Sequence, residues 1–112
     1  MIYHFCSRAD WAAAGQAGSY TAESLTTQGF IHCSPADHVH VSATERARGR
    51  TGLVVLEIDE SRLDPPAVWE DGDPPHPRGK QFPHVYGPIP LDAVVKVLDF
   101  PPGPDGTFAP IG

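Results

Sequence analysis

The chain has 112 residues, the size of one domain with a core of its own. Eight Lys and Arg side chains face fourteen Asp and Glu, and the formal net charge of −6 disfavours general binding to nucleic-acid backbones. No apolar run approaches the ~20 residues that span a bilayer, and the first residues lack a signal-peptide pattern, so we expect a cytoplasmic protein without a membrane segment.

The first half of the chain predicts short strands and helices in alternation. In chain order these are a strand over residues 2–6, a helix over 8–16, a helical turn over 24–28, a strand over 30–33 and a helix from 35 to about 47. Ser34 followed by Pro35 is a strong helix start, with Ser as N-cap and Pro at the first helical position. Three apolar residues spaced four apart, Val39, Ala43 and Ala47, form the predicted buried stripe of that helix.

The second half predicts strands joined by loops rich in Pro and Gly. These strands cover residues 53–59, 68–70, 82–86 and 94–100. The first is a near-continuous apolar run, which indicates burial on both faces. Residues 71–80 form a polar loop long enough to be a mobile flap, and residues 101–112 predict a frayed tail after a single globular domain over residues 1–100. Because helices come early and strands late, the fold class is α+β.

Three histidines lie on predicted strands and are candidates for one site. His4 has aromatic neighbours and either packs in the core or faces a ligand. His32 lies two residues before Ser34, where the free N–H groups of a helix start can bind an anion, although simple packing is the other interpretation. His84 shares a strand face with Tyr86. We expect His4, His32 and His84 to converge on one ligand cleft.

Two further groups of charged residues could contribute to such a cleft. Glu70 precedes the polar loop and is a candidate acid, base or acceptor for a ribose hydroxyl, or else an exposed carboxylate at a strand end. The basic stretch Arg46, Arg48 and Arg50 is either a solvated helix end or a small anion site.

Other kinds of site have less support in the sequence. Potential zinc ligands are His4, Cys6, His32, Cys33 and His84. They lack CxxC, HExxH or HxxxH spacing, so we predict no metal site. The sequence also lacks GxGxxG, P-loop and GxSxG motifs, which removes support for a doubly wound dinucleotide-binding domain, a nucleoside triphosphatase and an α/β-hydrolase. A Cys–His nucleophile pair that uses Cys6 or Cys33 stays open.

Several segments together carry a family resemblance. In chain order they are YHF near the start, Trp11, GFIHCS, LVVLEID, Trp69-Glu70 and FPHVYGPIPLDAVVKV. Over residues 2 to about 100 the chain resembles the bacterial family called domain of unknown function 952. The resemblance implies a fold similar to that of the ADP-ribosyltransferases, a compact α+β domain with a split sheet around an NAD cleft.

The resemblance also implies roles for individual residues. His4 fills the place of the first-strand histidine that holds the nicotinamide ribose, and His32 fills the next place. This looks like the two-histidine branch that includes the RNA 2′-phosphotransferases. The third place, often a Glu from a late strand, falls to Glu70 or His84.

Two functions from different classes follow. The first is an enzyme that acts on NAD or an ADP-ribosylated substrate, in which His4 and His32 hold ribose hydroxyls or phosphate. Glu70 or His84 would stabilise the oxocarbenium-like charge of glycosidic cleavage. The alternative is a non-catalytic module that binds a small molecule or peptide with the same histidines and Tyr86. A small-molecule ligand is the expected partner, and a specific RNA end is the nucleic acid left open.

Overall fold

The structure is a computed structural model that describes residues 1–72 and 74–111. Its elements are β1 (Ile2–Ser7), α1 (Arg8–Ala17), β2 (Ser19–Tyr20), α2 (Glu23–Thr27), β3 (Ile31–His32), α3 (Val39–Ala47), β4 (Leu53–Ile58), β5 (Val68–Asp71), β6 (Gln81–Val85), β7 (Ile89–Pro90) and β8 (Val94–Asp99). Single 3₁₀ turns cover Glu60–Arg62 and Leu91–Ala93. The α-helices lie in the first half of the chain and the strands pair antiparallel, which confirms the α+β class. None of the helices described is long and apolar enough to cross a membrane.

The strands form three antiparallel sheets. One three-stranded sheet has the order β1-β4-β8, another has the order β3-β6-β5, and β2 pairs with β7. Strand β4 lies in the centre of the first sheet and its apolar run is buried, as the sequence predicted. The two-residue pair β2–β7 was not predicted, because segments this short show no periodicity.

Two hydrophobic clusters lie on opposite faces of the first sheet, and β1 contributes to both. Ile2 and Cys6 belong to the larger cluster, whereas Tyr3 and Phe5 pack against the smaller one. This division follows from strand alternation, which sends successive side chains to opposite faces. The smaller cluster contains the predicted stripe of α3, formed by Val39, Ala43 and Ala47.

The helix that was predicted to begin at Pro35 begins at Val39 instead. Ser34 is not its N-cap, because Ser34 exchanges two backbone hydrogen bonds with Tyr3, at N···O distances of 2.8 and 2.7 Å. His38 occupies the N-cap position and makes no capping bond through its side chain. Pairing with a strand that is distant in sequence outweighs the local Ser-Pro signal. The anion site predicted beside Ser34 therefore loses the helix start on which it depended.

The segment after β8 packs against the domain, which corrects the expectation of a frayed tail. Phe108 is 4% exposed, and its ring centroid lies 4.8 Å from that of Phe100. The backbone N–H of Phe108 donates to Thr44 Oγ1 at 2.9 Å. The high Pro and Gly content of residues 101–111 hides an aromatic anchor that completes the smaller cluster.

Candidate functional site

An open cavity of about 790 Å³ lies where β1 and β3 separate beyond the Tyr3–Ser34 bridge. The walls come from β1, α3 and the loop between β5 and β6. Five of the six histidines line it, namely His4, His32, His38, His76 and His84. His40 is the one that does not. This volume suits a nucleotide-sized ligand, and the gathering of imidazoles makes the cavity the candidate site.

His4 joins three elements through its ring. Its Nδ1 lies 2.5 Å from the backbone carbonyl oxygen of His32, and its Nε2 lies 2.8 Å from the hydroxyl of Tyr20. Because a carbonyl oxygen only accepts, Nδ1 carries the proton, and Nε2 of the neutral ring accepts from Tyr20. Burial lowers the pKa of His4, which favours this neutral form. Both nitrogens have protein partners, so His4 shapes the cavity wall and offers no free polar atom to a ligand.

His32 and His84 face each other across β3 and β6. They are directly opposed in the strand register, and their ring centroids are 5.6 Å apart. Phe30 stacks on His84 with centroids 4.1 Å apart and meets His32 edge-on at 4.7 Å. The Nε2 of His32 donates to the side-chain oxygen of Gln28 at 2.5 Å. Two oriented imidazoles, both in contact with the ring of Phe30, thus form the part of the cavity wall that β3 and β6 contribute.

Glu70 orients His84 from the neighbouring strand. The Nδ1–H of His84 donates to Glu70 Oε1 at 2.7 Å, and the hydroxyl of Tyr86 donates to the same oxygen. Both hydrogen bonds lower the pKa of Glu70, and the bond from Tyr86 has the larger effect. The bond to Glu70 in turn raises the pKa of Tyr86. Across residues 1–72 and 74–111, Nε2 of His84 makes no hydrogen bond. A cavity-lining imidazole is therefore held by an ionised carboxylate and keeps one nitrogen available.

The loop between β5 and β6 meets the start of α3 across the cavity. The ring of His38 lies 5.8 Å from that of His76 and 4.8 Å from that of Phe82, measured between centroids. Lys80 pairs with Asp37 at 3.4 Å. Burial, followed by the charge of Lys80, lowers the pKa of His38. These contacts place the loop against α3, and its mobility stays a prediction.

The predicted site residues divide into two groups. Those that line the cavity are His4, His32, Ser34 and His84. Glu70 and Tyr86 do not line it: Glu70 bonds to His84, and Tyr86 bonds to Glu70. Sequence reasoning missed Tyr20 and Phe30. Strand alternation could have found Phe30, which lies two residues before His32, but no local signal pointed to Tyr20.

Neither cysteine is placed as a nucleophile. Cys6 and Cys33 are free and buried. Burial raises the pKa of Cys6 to about 11 and that of Cys33 further still, which disfavours the thiolate that nucleophilic attack needs. In the described part of the chain, no three His, Cys, Asp or Glu side chains are arranged to hold a metal ion.

Comparisons with known proteins define the family. The family model described as "Protein of unknown function (DUF952)" matches residues 5–97. The crystal structure of protein CC0527 from Caulobacter crescentus is similar with a TM-score of 0.86 at 30% identity, over 96% of this chain and 92% of that one. The solution NMR structure of CC0527 gives a TM-score of 0.79 at 31% identity, over 98% and 90% of the two chains. No curated protein matches. The chain therefore belongs to the DUF952 family.

Proposed function

We propose that the cavity binds NAD or an ADP-ribosylated substrate and that His84 promotes cleavage of a ribosyl glycosidic bond. One observation carries the proposal. His84 lines the cavity, Glu70 holds its Nδ1 at 2.7 Å, and its Nε2 makes no hydrogen bond within the described residues. An imidazole oriented in this way by a carboxylate is a common arrangement for a general base.

The proposed reaction uses His84 as the base and Glu70 as a positioning residue. As the bond between the ribose C1′ and the nicotinamide nitrogen breaks, its electron pair goes to the pyridinium ring, which leaves neutral nicotinamide. Water attacks C1′ and gives its proton to Nε2 of His84. The products are nicotinamide, ADP-ribose and one proton. The carboxylate of Glu70 stabilises the imidazolium that forms.

The backbone of β1 supports a ligand that carries a carboxamide. The backbone N–H of Arg8 donates to the carbonyl oxygen of Gly52 in the β1–β4 ladder. The backbone N–H and C=O of Tyr3 instead point outward, away from β4, and bond to Ser34. Antiparallel alternation then directs the N–H and C=O of Phe5 outward as well, toward the cavity. Neither group has a partner among the described residues. One donor beside one acceptor matches a primary carboxamide such as that of nicotinamide.

The position of the cavity also supports the proposal. We propose that the fold is related to that of the ADP-ribosyltransferases, in which NAD occupies the cleft of a split sheet. Here β1 and β3 belong to different sheets, which are joined by the Tyr3–Ser34 bridge and by the bond from the His4 ring to the carbonyl oxygen of His32, and the cavity opens where the two strands part. This position of the His-lined cavity between two sheets supports the proposal.

The first test is an NMR titration of isotope-labelled protein with NAD. We expect shifts of the His84 imidazole and the Phe5 amide at NAD concentrations up to about 1 mM, the weak end of specific binding. An absence of shifts at that concentration would overturn the proposal.

The second test measures nicotinamide release from NAD. We expect His84→Gln to lower the rate by roughly 10²-fold or more, the usual contribution of a positioned base. The matched control is His40→Gln, which changes the histidine outside the cavity and should leave the rate unchanged. Localised binding without any nicotinamide release would reject the enzyme and select the alternative, a non-catalytic module that binds a nucleotide.

A further inference from the structure

The structure separates the three arginines of the basic stretch. Arg48 turns to the C-terminal segment, where its Nη1 donates to the carbonyl oxygen of Asp105 at 3.5 Å. Arg46 and Arg50 instead line the cavity, near the end of α3. Two exposed arginines from this stretch therefore line the same cavity as the histidines.

In the described part of the chain, the two cavity-lining arginines differ from two others that form ion pairs. Arg8 pairs with Asp99 at 2.9 Å, and Arg62 pairs with Asp59 at 3.3 Å. Within residues 1–72 and 74–111, neither Arg46 nor Arg50 forms an ion pair or donates a side-chain hydrogen bond. The chain has fourteen carboxylates and eight basic side chains, so two arginines without an acidic partner beside one cavity contrast with the acidic charge of the whole chain.

The charged residues that line the cavity come from different elements. Asp10 and Glu23 line it beside α1 and α2, while Arg46 and Arg50 line it beside the end of α3. Within this lining, Ser7 at the end of β1 lies three residues along the strand from His4, or about 10 Å at the usual rise of a strand. An anionic group could thus lie at the arginines while a second part of the same ligand reaches the imidazoles.

We propose that Arg46 and Arg50 form a subsite for a phosphate or diphosphate group. The inference rests on the proposed function, since the diphosphate of NAD or ADP-ribose would occupy this subsite while the glycosidic bond lies at His84. Guanidinium groups suit phosphate oxygens because their donors form a planar fork that bonds two oxygens at once. The ligand class is thereby narrowed to phosphate-bearing nucleotides, as opposed to free nicotinamide or an uncharged nucleoside.

Glu45 should weaken anion binding at this subsite, because this acidic residue also lines the cavity and is next to Arg46 in the sequence. It makes no ion pair with either arginine within the described residues. A bound phosphate would be repelled by this carboxylate, so Glu45→Gln should tighten the binding of an anion. Comparison with a charge change outside the cavity is what distinguishes a local subsite from a general dependence on net charge.

The test uses inorganic pyrophosphate as the probe, with NMR titration and calorimetry on the whole chain. We expect Arg46→Gln and Arg50→Gln each to weaken pyrophosphate binding by about tenfold, as the loss of a charge-assisted hydrogen bond does. The matched control is Lys96→Gln, which makes the same change in charge on the exposed strand β8, away from the cavity. The control should change affinity by less than about twofold, since screening is strong over such distances.

Three results would overturn the subsite. They are equal weakening by Lys96→Gln, no pyrophosphate binding at millimolar concentration, and a loss of stability in Arg46→Gln with no change in affinity. The last would mean that Arg46 only complements the end of α3. Pyrophosphate has no glycosidic bond, so its binding tests the arginines independently of His84. Pyrophosphate bound at the arginines, with no nicotinamide released from NAD, would leave the subsite standing and refute only the proposed reaction.

Discussion

Replacement of His4 by leucine tests whether this imidazole is a structural link between the two sheets. The substitution leaves the carbonyl oxygen of His32 and the hydroxyl of Tyr20 without their partner. Each unsatisfied group in a buried position costs roughly 1–3 kcal/mol, so we expect His4→Leu to lower the free energy of unfolding by about 2–6 kcal/mol. This is a large share of the free energy of unfolding of a typical domain, which is roughly 5–15 kcal/mol. Urea unfolding at about pH 7.5, followed by tryptophan fluorescence, measures the change.

A double-mutant cycle separates the two bonds of His4. Tyr20→Phe removes only the hydroxyl, so it should cost about 1–3 kcal/mol by leaving Nε2 of His4 unpaired. The combined variant should be less destabilised than the sum of the two, because the second substitution removes a partner that is already lost. A cost below about 0.5 kcal/mol for His4→Leu, the range of ordinary surface changes, would refute the structural link. If ligand binding were lost at the same time, His4 would be a ligand contact instead.

Three further predictions follow from the packing and the pKa values. Burial lowers the pKa of His4 below its ordinary 6.5, so the folded state binds fewer protons than the unfolded state in mild acid. The free energy of unfolding should be highest above about pH 6.5 and should fall below that pH by up to about 1.4 kcal/mol per pH unit. Urea unfolding repeated across pH measures this slope, which should be smaller in His4→Leu. Phe108→Ala should cost about 3–5 kcal/mol in the same assay because the ring stacks on Phe100 in the smaller cluster, and a cost near zero would show that the C-terminal segment is not anchored. Cys6 and Cys33 should react slowly with iodoacetamide at neutral pH and rapidly in denaturant, whereas fast labelling of the native protein, detected by mass spectrometry, would contradict their burial.

The sequence predicted best those features that repeat within a segment. Apolar continuity identified the buried strand β4, and spacing by four identified the stripe of α3. Strand alternation placed His84 and Tyr86 on one face, and Glu70 contacts both. The contact itself could not be predicted, because it depends on the register in which β5 pairs with β6.

The sequence predicted least well those features that depend on distant partners. Ser34 carries a strong helix-start signal, yet it pairs with Tyr3 because the two sheets meet there. Tyr20 lies on a strand of two residues that has no periodicity, although it completes the bonding of His4. Phe108 is surrounded by loop-forming residues, and only the tertiary structure shows that it has an aromatic partner. In each case a long-range contact outweighs local propensity.

The membership of β1 in both hydrophobic clusters has a consequence for cooperativity. Its alternate side chains belong to opposite cores, so neither core can lose its packing without exposing residues that the other requires. The domain should therefore unfold in a single step, without a half-folded species in which one core survives alone. A ligand held along the free edge of this strand would raise the melting temperature of the entire chain, because it binds to the element on which both halves depend.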